Sequence, residues 1–167
     1  MDAVIGNILW PFVTIFAYLR FTVGVIVCIP PVCYHLLTGK KLSKFVDIWN
    51  LLSKCYLGSY VFSGIAAFIA PYSSSINPHV KSLQSCYSEI TMPDYPWLRN
   101  PFGSLHAIAL ANLGEFASGL CMMSALQYHK NLKGIPVSIE VEFIKKARGT
   151  VTAKGAVLLE ASTVVAF

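Results

Sequence analysis

Charge is scarce in this chain. Lysine and arginine number 13 and aspartate and glutamate 8, so charged side chains make up 13% of 167 residues, against roughly 25% in an ordinary globular domain. Hydrophobic residues reach 55% and the mean hydropathy is +0.60, which keeps membrane contact in view throughout. There is no continuous basic face. The net charge of +5 comes from two short clusters, Lys40-Lys41-Lys44 and Lys145-Lys146-Arg148, which suit a local anion site or an anionic membrane surface rather than a nucleic-acid groove. The five cysteines, at positions 28, 33, 55, 86 and 121, form no C-x-x-C pair and no His/Cys spacing suited to zinc. They read as reduced, buried thiols in a cytosolic or matrix environment, without a disulfide framework. No internal repeat or low-complexity segment is present. A cleaved secretory leader is disfavoured, because the N-terminus carries Asp2 and no basic residue before its apolar run.

Residues 8–37 form that run, thirty residues with one formal charge, Arg20. About 20 helical residues cross a hydrocarbon core. Pro11, Pro30, Pro31 and the central Arg20 nevertheless argue against one clean span and for a kinked, shallow or re-entrant anchor. A helical hairpin buried against the rest of the chain is the competing reading. If the run spans, Lys40, Lys41 and Lys44 hold the remainder of the chain on the cytoplasmic side. A second apolar stretch, 56–70, is short for a span and better suited to a core helix. "APYSSSINP" then opens a folded domain, giving a division into 1–70, a hydrophobic helical region and membrane-anchor candidate, and 71–167.

Within that domain, residues 79–92 have strand character and "PDYPWLRNPFG" is a proline-broken loop. Ser104 is a candidate N-cap for a long apolar helix ending near Leu126. Residues 137–147 alternate with period two through Val137, Ile139, Val141 and Phe143, and 150–167 read as a further strand interrupted at Gly155. The expected fold class is α+β, an antiparallel sheet wrapped around the long helix. In the middle of that helix stands Glu115, the only acid between Arg99 and Lys130. A buried lone carboxylate either rises in pKa or finds a partner, with Arg99, Lys145 or a second subunit the available ones.

The stretch "RNPFGSLHAIALANLGE" resembles the hotdog-fold acyl-CoA thioesterase superfamily, in particular its thioesterase-like branch of largely unassigned function, and the likeness extends over roughly 70–154. Its most specific part is N-x-x-G-x-x-H-A with an acid nine residues after the histidine: Asn100, Gly103, His106, Ala107 and Glu115. The resemblance implies a hotdog fold and acyl-CoA hydrolysis. It implies Glu115 as general base or nucleophile, Asn100 and His106 as orienting groups, and the Ala107 N–H as oxyanion donor. Thioester hydrolysis needs a basic carboxylate and fixed donors where charge develops, and a helix start supplies such donors. Lys145, Lys146 and Arg148 are candidates for the coenzyme A phosphates, with a solvated strand end as their bland reading. No cofactor or metal is implied. Counting 100° per residue sets His106 and Glu115 on roughly opposite helix faces. That suggests a site shared in a homodimer or dimer of dimers, as the resemblance also implies.

The pattern departs from the family in two places. Where relatives carry a helping Ser or Thr, this chain has Pro136, with Ser138 only nearby. About two strands fewer than a full hotdog sheet precede Phe167, an incomplete C-terminus that would leave sheet edges open. His35 and His129 receive no functional reading. The alternative function is a non-catalytic acyl-CoA or lipid-binding membrane-associated protein. A multi-pass membrane protein, with 104–126 as one span, is the third reading. The expected location is membrane-associated, on the cytoplasmic or mitochondrial side.

Overall fold

A two-residue tip decides the shape of the 79–92 stretch. Cys86 has a positive φ of 62°, and the chain reverses there into a hairpin of β1 (His79–Gln84) and β2 (Tyr87–Met92) instead of running on as one strand. The irregular alternation read in the sequence has two causes. One is this turn; the other is a register shift between Val80 and Ser82, which sends Val80 and Leu83 inward from β1. β2 alternates cleanly, with Ser88, Ile90 and Met92 completely buried.

The computed structural model describes residues 2–39, 44–129 and 132–157. Four helices precede the hairpin: α1 (Asp2–Leu37), α2 (Phe45–Leu52), α3 (Gly58–Ile69) and α4 (Pro71–Ser74). The helical hairpin weighed for residues 8–37 does not form, since α1 is one continuous helix through Pro11, Pro30 and Pro31 despite the N–H groups they lack. It packs on α3 at Gly24, where a Cβ would come within 2.7 Å of the Val61 side chain. Phe62 of α3 meets Phe45 and Trp49 of α2 edge-on, at centroid distances of 5.0 and 5.1 Å. α3 then docks on β1 through Ser63, whose hydroxyl accepts the Val80 N–H at 2.9 Å. Lys40 and Lys41 lie outside the described residues, as does the tail from 158. Of the cysteines, Cys28 and Cys121 are buried and Cys33 is exposed, so burial of all five does not hold; all are free thiols.

After a 3-10 turn at Pro96–Leu98 comes α5 (Ala107–Leu126), whose Ala109, Leu113, Phe116, Ala117, Leu120, Cys121 and Ser124 face inward at three- and four-residue spacing. Among the described residues it is the helix long and apolar enough to cross a membrane, yet 44% of that stretch is buried inside the protein. It is packed as a core helix. The sheet covers one side of α5 rather than wrapping it, and Ile108, Ser118 and Met123 on the other side are exposed.

β3 (Val151–Ala156) completes a three-stranded antiparallel sheet of order β1-β2-β3, with Ser88 opposite Gly155. The strand expected over 137–147 is absent. Val137 is 95% exposed and Ile144 87%, and the segment pairs with no strand among the described residues. Period-two alternation yields a ladder only where a neighbouring strand takes up the backbone hydrogen bonds. Here the alternating apolar residues stand free.

The sheet meets α5 at closest range where Gly155 lies. A Cβ there would approach the Ala117 carbonyl oxygen to 2.6 Å and the Ser88 hydroxyl to 2.8 Å. Gly155→Val therefore forces the sheet off the helix, at a cost of about 1–3 kcal/mol or more. The expected outcome is a thermal midpoint several degrees lower, measured by circular dichroism beside the exposed-site control Thr152→Val.

Candidate functional site

The loop ahead of α5 is closed by one carboxamide. Asn100 Oδ1 accepts the N–H groups of Phe102 (3.0 Å) and Ser104 (3.2 Å), its Nδ2 lies 2.9 Å from the Ser104 hydroxyl, and its backbone N–H donates to the Ser104 carbonyl at 2.8 Å. This asparagine-centred turn needs Gly103 for its backbone angle, φ +70°, and not for room, since nothing lies within 4 Å of a Cβ placed there. Asn100 thus spends its side chain on the loop, and Ser104 is buried as its partner instead of capping the helix.

The cap is His106. Its backbone is extended (φ −67°, ψ 137°) and its Nδ1 accepts the Ile108 N–H at 3.1 Å. An Nδ1 lone pair used in this way puts the proton of the neutral ring on Nε2, so the exposed side of the imidazole is a donor. The His106 N–H donates to the Leu98 carbonyl at 2.7 Å, which fixes the helix start against the 3-10 turn. The N–H of Ala107, the first helical residue, has no hydrogen-bond partner among the described residues.

Because His106 precedes the helix, counting 100° per residue from it to Glu115 does not apply, and the opposite-face inference loses its premise. Glu115 lies about 12 Å along the axis from the helix start, and it does not line the cleft beside His106. It is half-buried rather than buried, and no described residue forms an ion pair with it. The helix therefore leaves this carboxylate open to water or to a second chain.

Arg99 pairs instead with Asp94, whose Oδ1 accepts from Nε at 2.8 Å, while Oδ2 accepts the Gly149 N–H at 2.8 Å. The Leu105 N–H donates to the Ala147 carbonyl at 2.9 Å. These bonds tie the end of the 132–149 segment to the loop, bringing Arg148 to the helix start. Lys145 and Lys146 are exposed on the same segment. The motif does not include Asp94 and Arg99 as site residues; their spacing of five across a proline-broken loop gives no signal.

Beside His106 opens a cleft of about 190 Å³ between α4, the 3-10 turn and α5, lined among others by Tyr72, Trp97, Ile108 and Asn112. Asn112 is the residue that sequence reasoning passes over. Its signal is a second polar side chain in the same apolar run as Glu115. Among the described residues no cluster of His, Cys, Asp or Glu could hold a metal ion.

The family model described as "Domain of unknown function (DUF4442)" matches residues 58–163, more than half of the chain. A solved structure described as "Crystal Structure of genomics APC5556" is 34% identical, with a TM-score of 0.53 over 57% of this chain. The chain spans 64% of that structure's length, just under two thirds. No curated protein matches. The α+β arrangement, a three-stranded antiparallel sheet on a long helix, is compatible with a hotdog fold.

The Asp94 tie should be visible in the pH dependence of stability. The Arg99 hydrogen bond is the main cause holding the carboxyl below its ordinary value of 3.8; burial pushes it up, while the Gly149 N–H and the charges of Arg99 and Arg148 add to the lowering. A carboxyl lowered by folding stabilises the fold fully above its ordinary pKa, and that contribution disappears as pH falls through the lowered value. Asp94→Asn should cost about 1.5 kcal/mol at neutral pH, with the difference from wild type shrinking below 3.8. Thermal midpoints taken across that range give the test, and parallel curves would contradict it.

Proposed function

Since the chain belongs to the DUF4442 family, whose name assigns no activity, we propose that it is a hotdog-type acyl-CoA thioesterase whose site is shared between two copies of the chain. The observation that carries this reading is the open Ala107 N–H, held beside a donor face of His106 by the Asn100–Ser104 turn. An oxyanion forming at a thioester carbonyl needs such preorganised donors, and a helix N-terminus adds its positive end.

In this reading the thioester carbonyl oxygen sits against the Ala107 N–H and the His106 Nε2–H. Glu115 of the other copy removes a proton from the attacking water as its oxygen bonds to the carbonyl carbon, and the C–S bond breaks to release the coenzyme A thiolate and the carboxylic acid. Where Glu115 attacks directly, water then hydrolyses the mixed anhydride and frees the carboxylate. Asn100 acts by holding the loop. Lys145, Lys146 and Arg148 supply positive charge for the coenzyme A phosphates, and the tie of Ala147 to Leu105 supports their placement near the helix start. A second copy is favoured by two further observations. Glu115 is away from the cleft of its own chain, and the apolar residues of 137–144 are left uncovered.

The N-terminal region is the proposed means of membrane association, on the cytoplasmic or mitochondrial side. Along α1 the side chains of Phe12, Ile15, Tyr18, Ile26 and Ile29 are all more than half exposed, an apolar surface suited to lipid. The rival reading, a protein that binds acyl-CoA without cleaving it, draws on the separation of Glu115 from the cleft.

An acyl-CoA panel separates the two. Glu115→Gln should lower hydrolysis by at least about 100-fold while leaving the circular dichroism spectrum and thermal midpoint unchanged. Binding without turnover by the wild-type chain would select the rival. Sedimentation supplies the second check, since a fully active monomer would rule out the shared site.

A further inference from the structure

The far wall of the cleft beside His106 carries Asn112, and this carboxamide is in an unusual position. It is only 8% exposed, it has no hydrogen-bond partner among the described residues, and it borders the cleft. Its carboxamide is not sealed off from solvent, and what remains accessible of it opens toward the cleft. Beside it stand Ile108 and Ala109, while Tyr72, Ser75, Arg99 and His106 bring polar groups to the rest of the lining.

An amide that is nine-tenths buried and has no protein partner reaches solvent only through the cleft, so a ligand group seated there can take up its hydrogen bonds in place of water. A carboxamide carries a donor and an acceptor side by side, and its natural complement is a group offering both. The cleft is small, about 190 Å³. That admits a short piece of substrate and not a whole acyl-CoA. Asn112 is three residues before Glu115, hence its neighbour on the helix surface, so whatever it holds lies between the helix-start donors and the carboxylate's turn of helix.

We propose that Asn112 is a substrate-selecting residue, which pairs with a secondary amide or hydroxyl of the thioester substrate in the cleft beside His106. This rests on the thioesterase reading and deepens it. The shared chemistry has two sources, the amides of the pantetheine arm or a hydroxyl on the acyl chain. Discrimination arises from the same physics in either case, since a site built around a buried polar group rejects the analogue that leaves it unpaired.

The test measures binding rather than turnover, on the full chain carrying Glu115→Gln, with three probes: pantetheine, a straight-chain acyl-CoA and the 3-hydroxyacyl-CoA of the same length. Asn112→Leu, similar in branching but larger and apolar, should weaken at least one probe about 10-fold or more. Asn112→Asp, which keeps the size and the acceptor but loses the donor, serves as a second variant should the leucine disturb folding. Weakening of all three probes assigns the pantetheine amides as the group held. Weakening confined to the hydroxyacyl probe assigns the acyl hydroxyl. Equal affinities of wild type and both variants for every probe would overturn the proposal. Hydrolysis is followed separately with Glu115 in place. A wild-type chain that binds selectively through Asn112 without turnover refutes the enzyme alone, and one that hydrolyses with Asn112 immaterial refutes the selection alone.

Discussion

The contact between Ser88, Gly155 and Ala117 governs where every other part of the domain can be. Ser88 donates its hydroxyl hydrogen to the Ala117 carbonyl at 2.7 Å, and Gly155, its partner across the ladder, leaves no side chain between sheet and helix. Bringing a helix this near to a sheet fixes its rotation as well as its distance. With Ala117 and Cys121 against the strands, Glu115 must lie on the flank and Ile108 outside. Ser124 strengthens the same arrangement at the other end, where its hydroxyl accepts the Cys86 N–H of the hairpin turn at 3.2 Å. The sheet thereby holds the helix over its length, while the loop from Asp94 to His106 holds its start.

That loop shows how a short polar motif shapes the start of a helix. Asn100 and Gly103 are needed to shape the turn, and the turn is what delivers His106 to the cap with its Nδ1 engaged. A capping histidine with a fixed tautomer differs from a free one, because its outward nitrogen is committed to donate. Motif spacing alone suggests side chains converging on a substrate. The hydrogen bonds suggest a division of labour, in which Asn100 acts through the backbone it organises and the helix start presents the donors.

The sequence carried the long helix, the α+β class and the loop signature, because those depend on local pattern: apolar spacing, proline clusters, an Asn-x-x-Gly turn. What it concealed depends on partners. Residues 137–147 have the alternation of a strand and remain unpaired, since alternation says which residues share a face and not whether a neighbour exists. The cap passed from Ser104 to His106 because Asn100 claims the Ser104 hydroxyl first. In α1, three prolines lie within a helix that propensity would break. Asn112 stood in plain view, yet its burial without a partner is a property of packing, which no single-chain pattern reports.

Three polar groups of α5 bear on the proposed site: the Asn112 carboxamide, the Ala107 N–H and the Glu115 carboxylate, none of which pairs with another described residue. The first two border or flank one cleft, and the third stands one turn beyond it, on a helix whose outer flank is uncovered. A ligand satisfies the donors and the amide without moving the helix, whereas the carboxylate is reached only across the uncovered side. On the proposed reading the finishing pieces differ in kind, a small polar group for the cleft and another chain for the flank.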